Sequence, residues 1–301
     1  MKDFSGKIAV VTGGGAGMGR ELALQLVAEG CHVGICDISE EYLKQAYEVC
    51  THAAPEGVMV SAHIADVSDK ASVEAWASKL SEDFETDHIN ILFNNAGVNG
   101  GFESFVNGDA ARWGKTFDIC WGGVYNTLRA FLPMLKKADE ALIVNTSSIS
   151  GAWASMGPGR SNSSYCAAKF AVRGFTEALI EDLAVHTPHI KCAVVMPGLI
   201  GTSITANSEK IYGGNAEDEG IKDMVAQHLV NAPTTPARAA EIIIEGIHNG
   251  KWRILVGKDA ELVDKFVRES PEEAYTPAFF EKIMEEASNG ADMRVSRPVS
   301  F

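Results

Sequence analysis

The sequence predicts an α/β fold: a doubly wound parallel sheet of about seven strands with helices on both faces. Three observations lead there. Short apolar runs rich in Val and Ile alternate with longer stretches of helical period, which is how strands buried on both faces read when crossover helices join them. The first apolar run flows directly into a glycine-rich turn, Thr12-Gly13-Gly14-Gly15-Ala16-Gly17-Met18-Gly19, and then into a helical pattern. The composition of the 301 residues, 46% hydrophobic and 22% charged, supplies a large core.

Strands are expected at residues 7–11, 32–36, 58–63, 89–93, 141–146, 191–195 and 253–256. Parallel neighbours need long crossovers, and helical periodicity fills them at 18–29, 40–50, 70–84, 110–137, 164–186 and 238–249. This alternation is the Rossmann-type arrangement, in which ligands bind outside the carboxyl ends of the strands. Residues 1–257 read as one such domain. Within it, the stretch 199–236 is longer than a usual connection and reads as a loop covering the substrate. Residues 258–301 read as a C-terminal helical extension of the same domain, with short helical patterns around Pro271 and Pro277. A place beside the pocket and a place at a subunit contact both fit that extension.

The formal charge of −14 argues against a nucleic-acid partner, which needs a clustered basic face. No apolar run approaches the ~18 residues of a membrane span, and no leader-like pattern precedes the first strand, so no membrane partner and a cytoplasmic location are expected. The six cysteines lie scattered without a C-x-x-C pair and the eight histidines form no cluster. Reduced thiols and no metal site follow.

A glycine-rich turn between strand and helix lets the backbone approach a pyrophosphate, whose charge is favoured at a helix N-terminus. Asp37 closes the second strand about twenty residues on, where its carboxylate can accept hydrogen bonds from ribose hydroxyls. The same charge repels a 2′-phosphate, and no Arg or Lys stands within 38–42 to attract one, which favours NAD over NADP. Asp66 can read an adenine amino group, and Asn94-Asn95 close the fourth strand before Ala96-Gly97. Taken singly, each of these is commonly a turn or cap residue.

Tyr165 and Lys169 stand four apart on a predicted helix and so share a face. A nearby ammonium favours the phenolate and lowers the Tyr pKa from ~10, which makes the phenol a usable acid and base. The fifth strand ends in Asn145-Thr146-Ser147-Ser148 at the same sheet edge as the glycine turn. A hydroxyl at Ser148 can hydrogen-bond a substrate oxygen as charge develops, and a turn serine would look the same in sequence.

With these motifs in order, and with Tyr165-Cys166-Ala167-Ala168-Lys169 followed by Pro197-Gly198, residues 6–257 resemble the classical short-chain dehydrogenase/reductase family. The resemblance implies an oxidoreductase that passes a hydride between NAD and a secondary alcohol or ketone. It implies that Tyr165 moves the proton, Ser148 orients the substrate oxygen and Lys169 also holds the nicotinamide ribose. Asp66 and Val67 would frame the adenine, Asn94 would support the adenosine side, and Ile200 and Thr202 would meet the carboxamide. Thr12, Gly13, Gly17, Met18, Gly19, Asp37, Ala96, Gly97, Pro197 and Gly198 complete the implied cofactor set. A homo-tetramer or homo-dimer through the long fourth and fifth helices is implied as well.

One position departs from the family. An Asn in the middle of the fourth helix usually kinks it and anchors a water of the proton relay, and alignment of residues 117–124 puts Cys120 there. A thiol is a weak hydrogen-bond partner, so an altered relay is expected.

Trp153 and Met156 between Ser148 and Tyr165, and later Leu199, Ile204 and Tyr212, point to a lipophilic, alicyclic or aromatic small-molecule substrate. Side chains sealing a loop or a subunit contact would give the same pattern. Arg160 fits either an anionic substrate or a solvated surface. The competing function is a catalytically weak NAD-binding sensor or scaffold, to which Cys120 lends weight. Epimerisation or dehydration of a nucleotide sugar ranks last, because it goes with a G-x-x-G-x-x-G loop.

Overall fold

The computed structural model describes residues 1–102, 104–155, 157, 162–214, 219, 220, 222, 223, 226, 229 and 232–289. Met156 and Arg160, two of the expected substrate-loop residues, lie outside them, as does part of 199–236.

Seven strands form one sheet: β1 Ile8–Thr12, β2 His32–Asp37, β3 Val60–Ile64, β4 Ile91–Asn94, β5 Ala141–Thr146, β6 Ile190–Pro197 and β7 Arg253–Val256. Their order is β3-β2-β1-β4-β5-β6-β7, and every neighbouring pair is parallel. The chain therefore winds outward from β1 in both directions. A crevice opens above the β1/β4 boundary, where the winding reverses.

The helices with described bounds are α1 Gly17–Ala28, α2 Glu40–Ala53, α3 Lys70–Asp83, α4 Ala110–Phe117, α5 Gly123–Leu135, α6 Ser163–His186, α7 Ile204–Ile211, α8 Pro236–His248, α9 Lys258–Glu269 and α10 Pro277–Asn289. Local chemistry sets several starts. Ser39 accepts from the Tyr42 amide ahead of α2, Asp69 from Ala71 ahead of α3, and Thr235 from Arg238 ahead of α8, whose first residue is Pro236.

Register explains why the strands are apolar throughout. Ile35, Val11, Phe93, Val144 and Ala193 lie in one row across the sheet, and Val10, Leu92, Ile143 and Cys192 in the next. The first row packs with Leu22 and Leu26 of α1 and Ile243 and Ile247 of α8. The second packs with Trp76 and Leu80 of α3, Phe131 of α5 and Leu183 of α6. Trp76 and Phe131 meet edge to face at 5.0 Å, and burial of side chains of this size contributes about 2–3 kcal/mol each.

Two elements differ from the sequence reading. The span 110–137 is not a single helix: α4 and α5 are joined by one wider π turn, Asp118–Gly122, with Cys120 at its centre. There the Val98 amide donates to the Cys120 thiol at 3.4 Å and the thiol donates to the Val98 carbonyl at 3.3 Å. A side chain bonded to a neighbouring strand exit in this way fits a local break in the helical ladder. The stretch expected as a loop also contains a helix, α7. It is held from outside: the Asn99 amide donates to Ser208 Oγ, and Lys115 donates to the Ile211 carbonyl.

After β7, helices α9 and α10 fold back over the carboxyl edge of the sheet. Trp153, from the segment that follows Ser148, donates through Nε1 to the Ala274 carbonyl at 2.6 Å and packs edge to face on Phe279. With Val263 and Ile283 they make a small separate core. The described part of the extension, residues 258–289, thus packs beside the pocket.

Candidate active site

A cavity of about 940 Å³ lies over the carboxyl ends of the strands. Its wall begins at the turn between β1 and α1, where Gly13, Ala16, Gly17 and Met18 face it. No side chain caps the start of α1, so its leading amides are free to meet an anion, as a pyrophosphate site requires.

Asp37 stands at the end of β2. One carboxylate oxygen accepts from the Gly15 amide and the other from the Ser39 amide, each at 3.0 Å. Burial raises its pKa, while these backbone donors pull it down. Asp66 and Val67 follow β3 along the same wall. The Asp66 carboxylate is held by the Ser68 amide and hydroxyl at 2.9 and 2.6 Å, and Asn126 of α5 donates to the Val67 carbonyl.

Ala96 and Gly97, from the exit of β4, and Pro197, Gly198, Ile200 and Thr202, beyond β6, also line the cavity. Thr12, Gly19 and Asn94 do not, and the reasons are physical. Thr12 Oγ1 is turned inward and accepts from the Asn95 and Ala96 amides at 2.9 and 3.0 Å, tying β1 to the exit of β4. A side chain on Gly19 would place its Cβ 2.1 Å from the Gly13 carbonyl oxygen, so the glycine serves close packing of the turn. Asn94 is buried, donating to Asn145 Oδ1 at 2.8 Å and accepting from Thr127 at 2.5 Å. Its neighbour Asn95 lines the cavity and donates to the Thr12 carbonyl at 3.1 Å.

Ser148, Tyr165 and Lys169 all line the cavity from the opposite side. Ser148 sits where β5 gives way to a short 3-10 turn, Ile149–Gly151, and its hydroxyl accepts from the Ser150 amide at 3.1 Å. The start of α6 is located by Asn162, which donates to the Asn99 carbonyl at 2.8 Å, and by the Trp113 indole, which donates to Ser163. One turn of α6 then brings Lys169 beneath Tyr165, its Nζ 5.5 Å from the ring centre. Lys169 donates to the Thr146 carbonyl at 2.8 Å and is almost fully buried.

The electrostatics differ from the simple expectation of a lowered phenol. Burial dominates and pushes the Tyr165 pKa up, with a hydrogen bond from Ser148 acting the other way. Burial likewise pushes the Lys169 pKa down. Each neutral form is favoured because water is excluded from both.

Several wall residues carried no motif and escaped the sequence reading. Tyr42 of α2, Asp259 and Val263 of α9, and Phe280, Ile283 and Met284 of α10 are among them. The amphipathic period of the extension marked helices, but which pocket they faced was not encoded locally. Trp153, Leu199 and Ile204 line the cavity as expected, whereas Tyr212 packs beside it, hydrogen-bonded to Thr116 at 2.7 Å. Among the described residues there is no His, Cys, Asp or Glu cluster able to hold a metal, and no helix long and apolar enough to cross a membrane.

Sheet order, crevice and wall residues together are those of a dinucleotide-binding dehydrogenase. The chain belongs to the short-chain dehydrogenase family, whose model matches residues 7–212. It is 34% identical over 272 residues to SadH of Mycobacterium tuberculosis, covering 89% of this chain and 92% of that protein. It is 33% identical over 207 residues to the levodione reductase of Leifsonia aquatica, covering 69% and 74%. A solved short-chain dehydrogenase/reductase from Burkholderia phymatum, in complex with NAD, superposes over 100% of both chains with TM-score 0.80 and 26% identity.

Proposed function

We propose that this protein transfers a hydride between NAD and a secondary alcohol or its ketone, with Tyr165 as general acid and base. The observation that carries the reading is one cavity with Asp37 at one end and Ser148, Tyr165 and Lys169 at the other. Asp37 favours a free ribose over a 2′-phosphate, and the B. phymatum relative in complex with NAD supports the same cofactor. Bound NAD supplies the hydride acceptor; the protein supplies position and field.

Ser148 hydrogen-bonds the substrate oxygen and Tyr165 exchanges a proton with it. A phenol raised by burial keeps its proton at neutral pH, which suits donation to a ketone. In oxidation Tyr165 has to accept the proton, and the hydrogen bond from Ser148 is the feature that acts against burial and favours phenolate. Cys120, bonded to the backbone of Val98, leaves Lys169 with the Thr146 carbonyl as its described hydrogen-bond partner, and an altered proton relay is part of the proposal.

Trp153, Val263, Phe280, Ile283 and Met284 make the substrate end apolar, which supports a lipophilic, alicyclic or aromatic substrate. In this reading α7 and the other described residues of 199–236 cover the substrate, and the extension after 257 belongs to the same domain as 1–257. Tyr125 and Phe170, exposed on α5 and α6, support a homo-dimer or homo-tetramer. Six free cysteines and the acidic charge support a cytoplasmic enzyme.

The test is to follow reduced-nicotinamide absorbance while secondary alcohols are screened with NAD, beside the Tyr165→Phe variant. Turnover lost in the variant is expected. NADH binding without turnover of any alcohol or ketone would instead select the sensor or scaffold reading that Cys120 favours.

A further inference from the structure

Beyond β7, in a part of the chain that the family model does not reach, Asp259 enters the cavity wall from the first turn of α9. Its Oδ2 accepts from the Leu199 amide at 2.6 Å. Two glycines make room for it. A Cβ on Gly198 would lie 2.2 Å from Oδ2, and one on Gly257, whose φ is +102°, would lie 2.5 Å from Oδ1. No side chain fits at either place while the carboxyl group stays where it is.

The second oxygen, Oδ1, is buried without a hydrogen-bond partner. A buried polar atom left unpaired is costly and calls for a reason beyond packing. Burial raises the Asp259 pKa; the Leu199 amide, and to a lesser extent the Ala260 amide, which makes no well-formed hydrogen bond to Oδ1, act the other way. The held segment is the one that matters for chemistry, because Pro197, Gly198, Leu199, Ile200 and Thr202 all face the cavity. Gly198 is tied to the Val256 carbonyl and Gly201 to the Thr234 carbonyl, each at 2.9 Å, and the Leu199 amide between them is fixed by Asp259.

We propose that Asp259 is a positioning residue for the nicotinamide half of the cofactor, acting by fixing the backbone of 197–202 through the Leu199 amide. The proposal rests on the NAD-dependent reading above. It assigns to the C-terminal extension a part in cofactor binding in addition to its apolar wall for the substrate. Asn at this position keeps an oxygen acceptor for Leu199, whereas Ala removes it.

The experiment compares wild type, Asp259→Ala and Asp259→Asn for binding of NADH, by nicotinamide fluorescence, and of ADP-ribose, which lacks nicotinamide, by calorimetry. Melting temperatures are recorded beside both. Asp259→Ala should bind NADH about ten-fold more weakly, as loss of a hydrogen bond to a charged group predicts, while ADP-ribose affinity holds. Asp259→Asn should recover most of the NADH affinity. Equal NADH affinity in wild type and Asp259→Ala, or equal loss of both ligands with a lowered melting temperature, overturns the positioning role. A wild-type protein that binds neither ligand overturns the NAD reading itself, and this proposal with it.

Discussion

Replacing Thr12 by Val tests whether the wall of the cavity is held from behind. Val keeps the shape of Thr but removes the oxygen that accepts from the Asn95 and Ala96 amides at 2.9 and 3.0 Å. Each buried donor left unpaired costs about 1–3 kcal/mol. Both residues are half-buried, so water recovers part of this, and the low end of the range gives about 2–3 kcal/mol for the pair. At roughly 2–4 °C per kcal/mol for a chain of this size, the melting temperature should fall by about 5–10 °C. Thr12→Ser keeps the oxygen and should melt close to wild type. NADH should bind Thr12→Val more weakly, because Asn95, Ala96 and Gly97 form the adjoining wall. Calorimetric melting of the three proteins decides the matter. A Thr12→Val variant as stable as wild type, or a Ser variant as unstable as Val, would refute the reasoning.

Three other outcomes follow from the geometry. Burial raises the Tyr165 pKa above its ordinary 10.0, so the folded state holds this proton more tightly than the unfolded chain. The resulting stability is complete below that value and is lost as pH rises beyond it; Tyr165→Phe should therefore flatten the alkaline fall in melting temperature, and an unchanged alkaline slope counts against the buried phenol. Asp37→Ala should raise KM for NAD by about ten-fold and narrow the preference over NADP, since both the ribose acceptor and the charge opposing a 2′-phosphate are gone. Steady-state kinetics with the two cofactors measure this, and unaltered discrimination removes Asp37 from cofactor choice. Cys120→Asn should shift the pH–rate profile of kcat; identical profiles dispose of the altered relay.

Much of this molecule could be read from local pattern. Strands buried on both faces have to be apolar along their whole length, which is why the β1, β4, β5 and β6 runs stood out, and a turn that approaches a phosphate has to be rich in glycine. Tyr165 and Lys169 were visible because helical periodicity alone puts them on one face. Which Asn of the 94–95 pair turns to the cavity was not visible, since that depends on Thr127 and Asn145 holding Asn94. The π turn at 118–122 likewise depends on Val98, a neighbour in space.

The sequence by itself therefore determined the winding of the sheet, the position of the crevice and the chemical types gathered at its two ends, because these follow from period, spacing and residue chemistry along the chain. The tertiary structure decided which way the side chains face and what closes the crevice. Thr12 Oγ1 braces β1 against the exit of β4, burial set the sense of the Tyr165 shift, and α9 and α10 became a wall of the cavity with Asp259 set into it. Each of these arises between segments far apart in sequence, where packing and the exclusion of water act and no local pattern records them.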